Sequence, residues 1–278
     1  AQFNGCQAGF CSLVAPSGGG GGLLLDNLSA TPLVAFSTRK LRTAYAGNAM
    51  TVQRSSDSVT QNIGFVSNNF DTTSLHTFIG SNSGSINSWL DQAGSNNTTV
   101  ESQATQPLVI NAGTDQTING HICPAWAAAS SSVQHYGGSI TQAQPISIAI
   151  LFKYNTTPIN SAHLHDGATA RPLIGTGTGP VYQFYAGSSV LSGGTPNTSI
   201  HTIIGLFAGA SSSLLLDGSS IISGNPGPNA YAADAKVIGR GSSTPDVNIC
   251  EFIAVIGSMS GADQATIRSS WQTYWGAP

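Results

Sequence analysis

The chain has 278 residues, with 9 Lys and Arg against 12 Asp and Glu, a formal net charge of −3 and only 8% charged residues, where an ordinary soluble domain carries about 25%. Apolar residues make up 40%, so the low charge does not signal disorder, and the polar surface has to be built from Ser, Thr, Asn, Gln and Gly. The charge excludes a binder driven by nucleic-acid backbone, which needs clustered Lys and Arg. No stretch approaches the roughly 20 apolar residues of a membrane span.

Residues 1–22 read as a flexible N-terminal arm, and residues 23–278 as one folded domain. The arm holds Cys6 and Cys11, then Pro16-Ser17 and five consecutive glycines, which suit neither helix nor strand. A Cys6–Cys11 bridge would close a short loop worth about 2 kcal/mol in chain entropy, and a Cys123–Cys250 bridge about 5 kcal/mol. Two buried free thiols are the alternative for the second pair. Thr31 followed by Pro32 has the form of a helix start. Leu33, Phe36, Leu41, Ala44 and Tyr45 can then share one face, with Arg39, Lys40 and Arg42 near the C-terminal end, so a helix is expected over 32–45. Residues 49–54 alternate as a half-buried strand does. A second helix fits 72–79, capped by Asp71 and stopped by Gly80.

From Ile86 onward, short apolar runs recur between Gly, Asn, Pro and Ser clusters, at 86–90, 107–110, 146–152, 181–185, 202–207, 213–216 and 249–256. Many strands separated by turn signals indicate a mainly β sandwich. Asp217-Gly218 is a strong tight-turn signal. Ser260-Gly261-Ala262-Asp263 is a capping box that opens a helix. Ile267, Trp271, Tyr274 and Trp275 follow at helical spacing, so this C-terminal helix is expected to be docked.

Two stretches carry a family pattern. The first runs from Phe36-Ser37-Thr38-Arg39-Lys40-Leu41 through Val52-Gln53-Arg54-Ser55-Ser56-Asp57 to Trp89-Leu90-Asp91-Gln92-Ala93-Gly94, and resembles the opening of the α-L-arabinofuranosidase B catalytic domain. The second joins Val237-Ile238-Gly239-Arg240-Gly241 to Ile249-Cys250-Glu251-Phe252-Ile253-Ala254-Val255 and the final helix. It is similar to the closing strands of laminin-G-like and other concanavalin-like domains, and the combination is similar to bacteriophage structural proteins. The resemblance implies a concanavalin-like jelly roll with a few short helices. It does not bring catalytic residues with it. A retaining arabinofuranosidase needs two carboxyl groups about 5–5.5 Å apart. The chain has two glutamates, Glu101 and Glu251, and the family's Glu-bearing centre with its adjacent cysteine pair has no counterpart between Ala162 and Ser199.

The densest polar constellation is His163-Leu164-His165-Asp166. On an extended segment the two histidines would point the same way and could hold a transition metal, against the alternative of a solvated loop. Tyr182 and Tyr185, with Asp166, are candidates for stacking on and bonding a sugar, against core packing for the rings. Asp91-Gln92-Ala93-Gly94 reads as a structural turn, and Asp57 as an anchor to Arg54. No cofactor is expected. The expected function is that of a non-catalytic virion component of a bacteriophage (tail, fibre or head spike). In this reading residues 1–22 join other virion proteins, surface glycans are bound outside, and the domain forms a homo-oligomer. A secreted carbohydrate-binding protein and a divergent arabinofuranosidase-like glycoside hydrolase are the alternatives.

Overall fold

The structure, a computed structural model, describes residues 22–99, 101–126, 134–136, 139–158, 161–167, 172–232, 236–240 and 246–278. Its centre follows from two apolar segments. Ile146–Tyr154 and Val247–Ile256 are rich in β-branched and aromatic residues and are buried on both faces, as strands inside a layered fold must be. They pair antiparallel from Ile146↔Ile256 to Tyr154↔Val247. Around them grows a 12-stranded antiparallel sheet. Ile200–Phe207, Ser212–Leu216 and Ser219–Gly224 extend it on one side. Ala125–Trp126, Leu108–Asn111, Gly84–Trp89, Met50–Arg54 and Thr60–Ile63 extend it on the other. The Asp217-Gly218 turn has positive φ at both residues, 51° and 82°, the geometry that the right-handed twist of a hairpin requires.

A six-stranded sheet forms the second layer, in the order Gln134–Tyr136, Lys236–Arg240, Ala162–Gly167, Leu173–Thr176, Tyr182–Tyr185, Leu191–Gly193. Aromatic side chains join the two sheets. Phe36 and Phe252 of the large sheet meet Tyr136 of the small one at 5.6 and 5.4 Å between ring centroids, and Phe207 meets Phe184 at 4.3 Å. The fold is thus a β sandwich, as the strand pattern indicates.

A third layer covers the opposite face of the large sheet. Ala35, Ala149, Leu151, Ile253 and Val255 point away from the sandwich and pack with Ile267, Trp271 and Trp275 of the C-terminal helix Gly261–Trp275, and with Leu24 and Leu25. Each buried Trp removes about 150–250 Å² from water, which is why this helix docks. Ser260 Oγ accepts the Asp263 N–H, as the capping box requires, while the Asp263 carboxylate takes the Ser29 N–H and hydroxyl at 2.7 and 2.8 Å. Cys123 and Cys250 are joined by a disulfide in this layer. The expected Cys6–Cys11 loop lies outside the described residues, as does the arm except Gly22.

The helix expected over 32–45 is not formed. Pro32–Ser37 is a strand on the edge of Val247–Ile256, from Pro32↔Val255 to Ser37↔Glu251. Val34 and Phe36 enter the sandwich and Ala35 the helix-covered side, so two cores claim alternate residues and outweigh a helix start. Pro32 fits because a proline is tolerated at the first position of a strand. The helix Thr72–Ile79 forms with Asp71 as cap and Gly80 as its stop.

Candidate functional site

The His163-Leu164-His165-Asp166 segment lies in the strand Ala162–Gly167, where a β-bulge falls between His163 and His165. The extra residue reverses the alternation, so the two histidines face opposite sides instead of the same side. His165 enters the sandwich core, where Tyr136 and Tyr231 hydroxyls lie 2.9 and 3.3 Å from its Nε2 and its Nδ1 bonds the Pro172 carbonyl at 2.9 Å. Burial lowers its pKa to about 4, so it is a neutral core histidine with its proton on Nδ1. His163 turns outward, with Nδ1 3.0 Å from Asp166 Oδ2. The structure therefore does not bring the two imidazoles together on one face. Among the described residues, no group of three or more His, Cys, Asp or Glu is placed to hold a metal ion.

The expected sugar contacts are also divided. Tyr182 is fully buried and packs on Phe152 at 6.4 Å. Asp166 is buried beside His163. Tyr185, on the other face of the Tyr182–Tyr185 strand, stays half-exposed.

Two acidic motifs are structural. Asp91 accepts the N–H groups of Ala35, Ala93 and Asn96, and Gln92 bonds Leu41 N–H and the Ser37 and Arg39 carbonyls. They tie the first strand to the following loop. Glu251 sits at a bulge in Val247–Ile256, where Cys250 and Glu251 together oppose Leu151. Glu251 is in phase with Ile253 and Val255 and lies under the C-terminal helix, and the bulge brings Cys250 to the same side. There its buried carboxylate accepts from Ser37 Oγ, from Arg39 Nε and Nη2, and from the indoles of Trp271 and Trp275, at 2.5 to 3.1 Å. Asp57 pairs with Arg54 at 2.6 Å.

An accessible concave site lies elsewhere, on residues that the sequence pattern placed on a helix or left unassigned. Once Pro32–Ser37 becomes a strand, the segment after it is a loop, and it faces the hairpin Phe65–Val66/Asn69–Phe70 and the start of the helix Thr72–Ile79. Ser67 and Asn68 turn this hairpin with φ of 50° and 68°, and the Asn68 carbonyl accepts the Lys40 N–H at 2.8 Å. Between them is an open cleft of about 510 Å³, lined by Lys40, Tyr45, Asn48, Asn62, Phe65, Ser67, Asn68, Asp71 and Ser74 among others. Clefts of about 300–1,000 Å³ are the usual size for small-molecule sites. The Tyr45 hydroxyl donates to the Asn48 carbonyl at 2.8 Å, and its ring stands edge-on to Phe65 at 6.3 Å. Burial pushes its phenol pKa up, with the Asp91 charge adding to the effect, so it is a neutral hydroxyl. Gly64 leaves room for the Asn48 amide, whose Oδ1 would lie 2.8 Å from an added Cβ. The sequence signal for this site is the recurrence of amides and small residues around Tyr45, Phe65 and Phe70, which has no periodicity to mark it.

Residues 26–143, less than half of the chain, match the family model of the α-L-arabinofuranosidase B catalytic domain. The cleft falls within that stretch. Three solved structures share the fold at 16% identity. They are a GH54 α-L-arabinofuranosidase variant soaked with 4-nitrophenyl α-L-arabinofuranoside (TM-score 0.65), a GH54 α-L-arabinofuranosidase soaked with a cyclic sulfate inhibitor (0.63) and an arabinofuranosidase complexed with arabinofuranosyl-α-1,2-xylobiose (0.59). In each case 89% of this chain is covered, and it spans 63% of the length of the matched structure. No curated protein matches the chain. The fold is a β sandwich similar to that of these arabinofuranosidases. Over residues 26–143 the likeness is to the catalytic domain of α-L-arabinofuranosidase B.

Proposed function

We propose that this protein is a non-catalytic carbohydrate-binding protein that holds saccharide in the Tyr45 cleft. The observation that carries this reading is the chemistry of the cleft walls: amides of Asn48, Asn62 and Asn68, hydroxyls of Ser67 and Tyr45, and an aromatic edge at Phe65. Neutral donors and acceptors beside an aromatic surface match the hydroxyls and C–H faces of a sugar. The arabinofuranosidase-like fold supports the same ligand class. The acids support binding without hydrolysis. Glu251 lies on the helix-covered face of the large sheet, and Asp166 on the outward face of the small one. Packed sheets are about 10 Å apart, well beyond the about 5–5.5 Å of a retaining pair.

The test is calorimetric titration of the full chain with arabinose-containing oligosaccharides, with Tyr45→Ala as the control and a reducing-sugar assay in parallel. Binding that Tyr45→Ala weakens at least tenfold supports the reading. Sugar release by the wild-type chain would favour the hydrolase, and binding indifferent to Tyr45→Ala would move the site elsewhere. An extracellular setting fits the disulfide. Attachment to a phage particle is a second reading that rests on the Cys6–Cys11 loop and glycine run in the sequence alone. It predicts that deleting residues 1–22 abolishes incorporation and leaves the domain folded.

A further inference from the structure

We propose that the saccharide bound in the cleft carries a carboxylate, as a uronic acid does, and that Lys40 receives it. This rests on the reading of the cleft as the sugar site. The cleft is unequal in its hydrogen-bonding groups. Among the described residues the Lys40 ammonium has no hydrogen-bond or ion-pair partner, although it lines a walled cleft. The one carboxylate in the lining is already engaged, since Asp71 caps the helix by accepting the Ser74 N–H and hydroxyl at 3.0 and 2.6 Å. The side chains of Asn48 and Asn68 make no bond to the protein among the described residues. Asn62 uses only its oxygen, which accepts from Thr51 Oγ1 at 2.7 Å, so its amide protons are free. One cation and three amide NH₂ groups therefore line the cleft, beside the free side-chain oxygens of Asn48 and Asn68 and an Asp71 carboxylate already bonded by Ser74.

An ammonium without a protein partner discriminates among sugars. A neutral pyranose offers hydroxyls that both give and accept, so the ammonium meets only a neutral acceptor. A uronate offers two charged acceptor oxygens, and bonds from amides and an ammonium to a carboxylate are roughly twice as strong as neutral ones. Lys rather than Arg suits the task, because a compact ammonium on a flexible stem can meet a carboxylate without fixing its plane.

The experiment is titration of the full chain with matched oligosaccharides that differ only in carboxylate against hydroxymethyl: galacturonate against galactose, and glucuronate against glucose. The expected result at low salt is about fivefold tighter binding of the acidic member, in the range of a half-exposed ion pair. The ratio should fall towards one in Lys40→Gln and shrink as salt is raised. Equal affinity within the pairs, or a preference that Lys40→Gln leaves intact, overturns the carboxylate inference while the cleft still binds sugar. Binding of neither member, or binding that Tyr45→Ala does not change, removes the cleft reading and this inference with it.

Discussion

Trp271 in the C-terminal helix donates its indole N–H to Glu251 Oε1 at 2.5 Å, across the boundary between the helix and the large sheet. Trp275 and Arg39 complete the cage, with the Arg39 guanidinium 2.8 Å from Oε2 and 4.8 Å above the Tyr274 ring. A buried carboxylate is costly by itself but is offset here by five donated bonds. Its removal leaves two indoles without an acceptor and Arg39 without its counter-ion, though still bonded to Ser270 Oγ. Glu251→Ala should therefore cost about 3–5 kcal/mol of stability, the usual penalty for breaking a buried ion pair. Urea unfolding measures it, and a loss below about 1 kcal/mol would mean that the helix is held by its tryptophans alone.

The Cys123–Cys250 bridge spans 127 residues and joins the segment before Ala125–Trp126 to the central strand. A loop of that length removes about 5 kcal/mol of chain entropy from the unfolded state in the simple model. Replacing both cysteines by alanine should lower the unfolding free energy by about 2–5 kcal/mol. Because Asn248 Nδ2 still bonds the Cys123 carbonyl and Ile249 N–H the Pro124 carbonyl, the double variant should keep the native circular dichroism spectrum. A variant as stable as the wild type would show that the bridge does not constrain the unfolded chain.

His165 ties stability to pH. Its folded pKa is lowered from 6.5 to about 4 by burial in the sandwich, so between these values the unfolded chain binds a proton that the folded chain refuses. Stability attributable to His165 is constant above pH 6.5, falls as pH drops through 6.5 towards 4, and is flat again below. The total is about 3 kcal/mol. Unfolding free energies measured across this range should show a steeper slope in the wild type than in His165→Gln, where the lowered pKa of His121 still contributes. Parallel curves would mean that His165 does not titrate with unfolding.

What was legible in the sequence had either a period or a local chemical signature. The Ser260 capping box and the Ile267–Trp271–Trp275 spacing mark the docked helix, Asp71 and Gly80 bound the short one, and Asp217-Gly218 marks a hairpin. The strand Pro32–Ser37 was not legible, because strands buried on both faces lack the alternation that distinguishes them from helices. The two bulges were equally hidden. One separates His163 from His165 and the other puts Cys250 and Glu251 on the same side of the sheet. A one-residue irregularity set by the neighbouring strands leaves no local trace, yet it decides which face each polar side chain meets. The cleft was missed for the same reason as the strand: with residues 38–45 read as helix, Lys40 and Tyr45 had no opposing wall.

Gly47 offers a way to disturb the cleft without touching the core. A Cβ at this position would lie 2.5 Å from the Tyr45 hydroxyl and 2.7 Å from its Cζ, closer than non-bonded atoms allow. Gly47 is exposed and its φ is not positive, so the backbone accepts alanine. The strain falls instead on the ring tip, which has to swing away from the Asn48 carbonyl that it bonds at 2.8 Å. The lost bond is worth about 1 kcal/mol, and the displaced ring narrows the cleft between Tyr45 and Phe65. Gly47→Ala should therefore lower the unfolding free energy by no more than about 1 kcal/mol while weakening oligosaccharide binding about tenfold. Titration calorimetry and urea unfolding on the same preparation separate the two effects. If binding is unchanged in a variant whose Tyr45 has moved, the Tyr45 hydroxyl and its bond to Asn48 do not shape the ligand site.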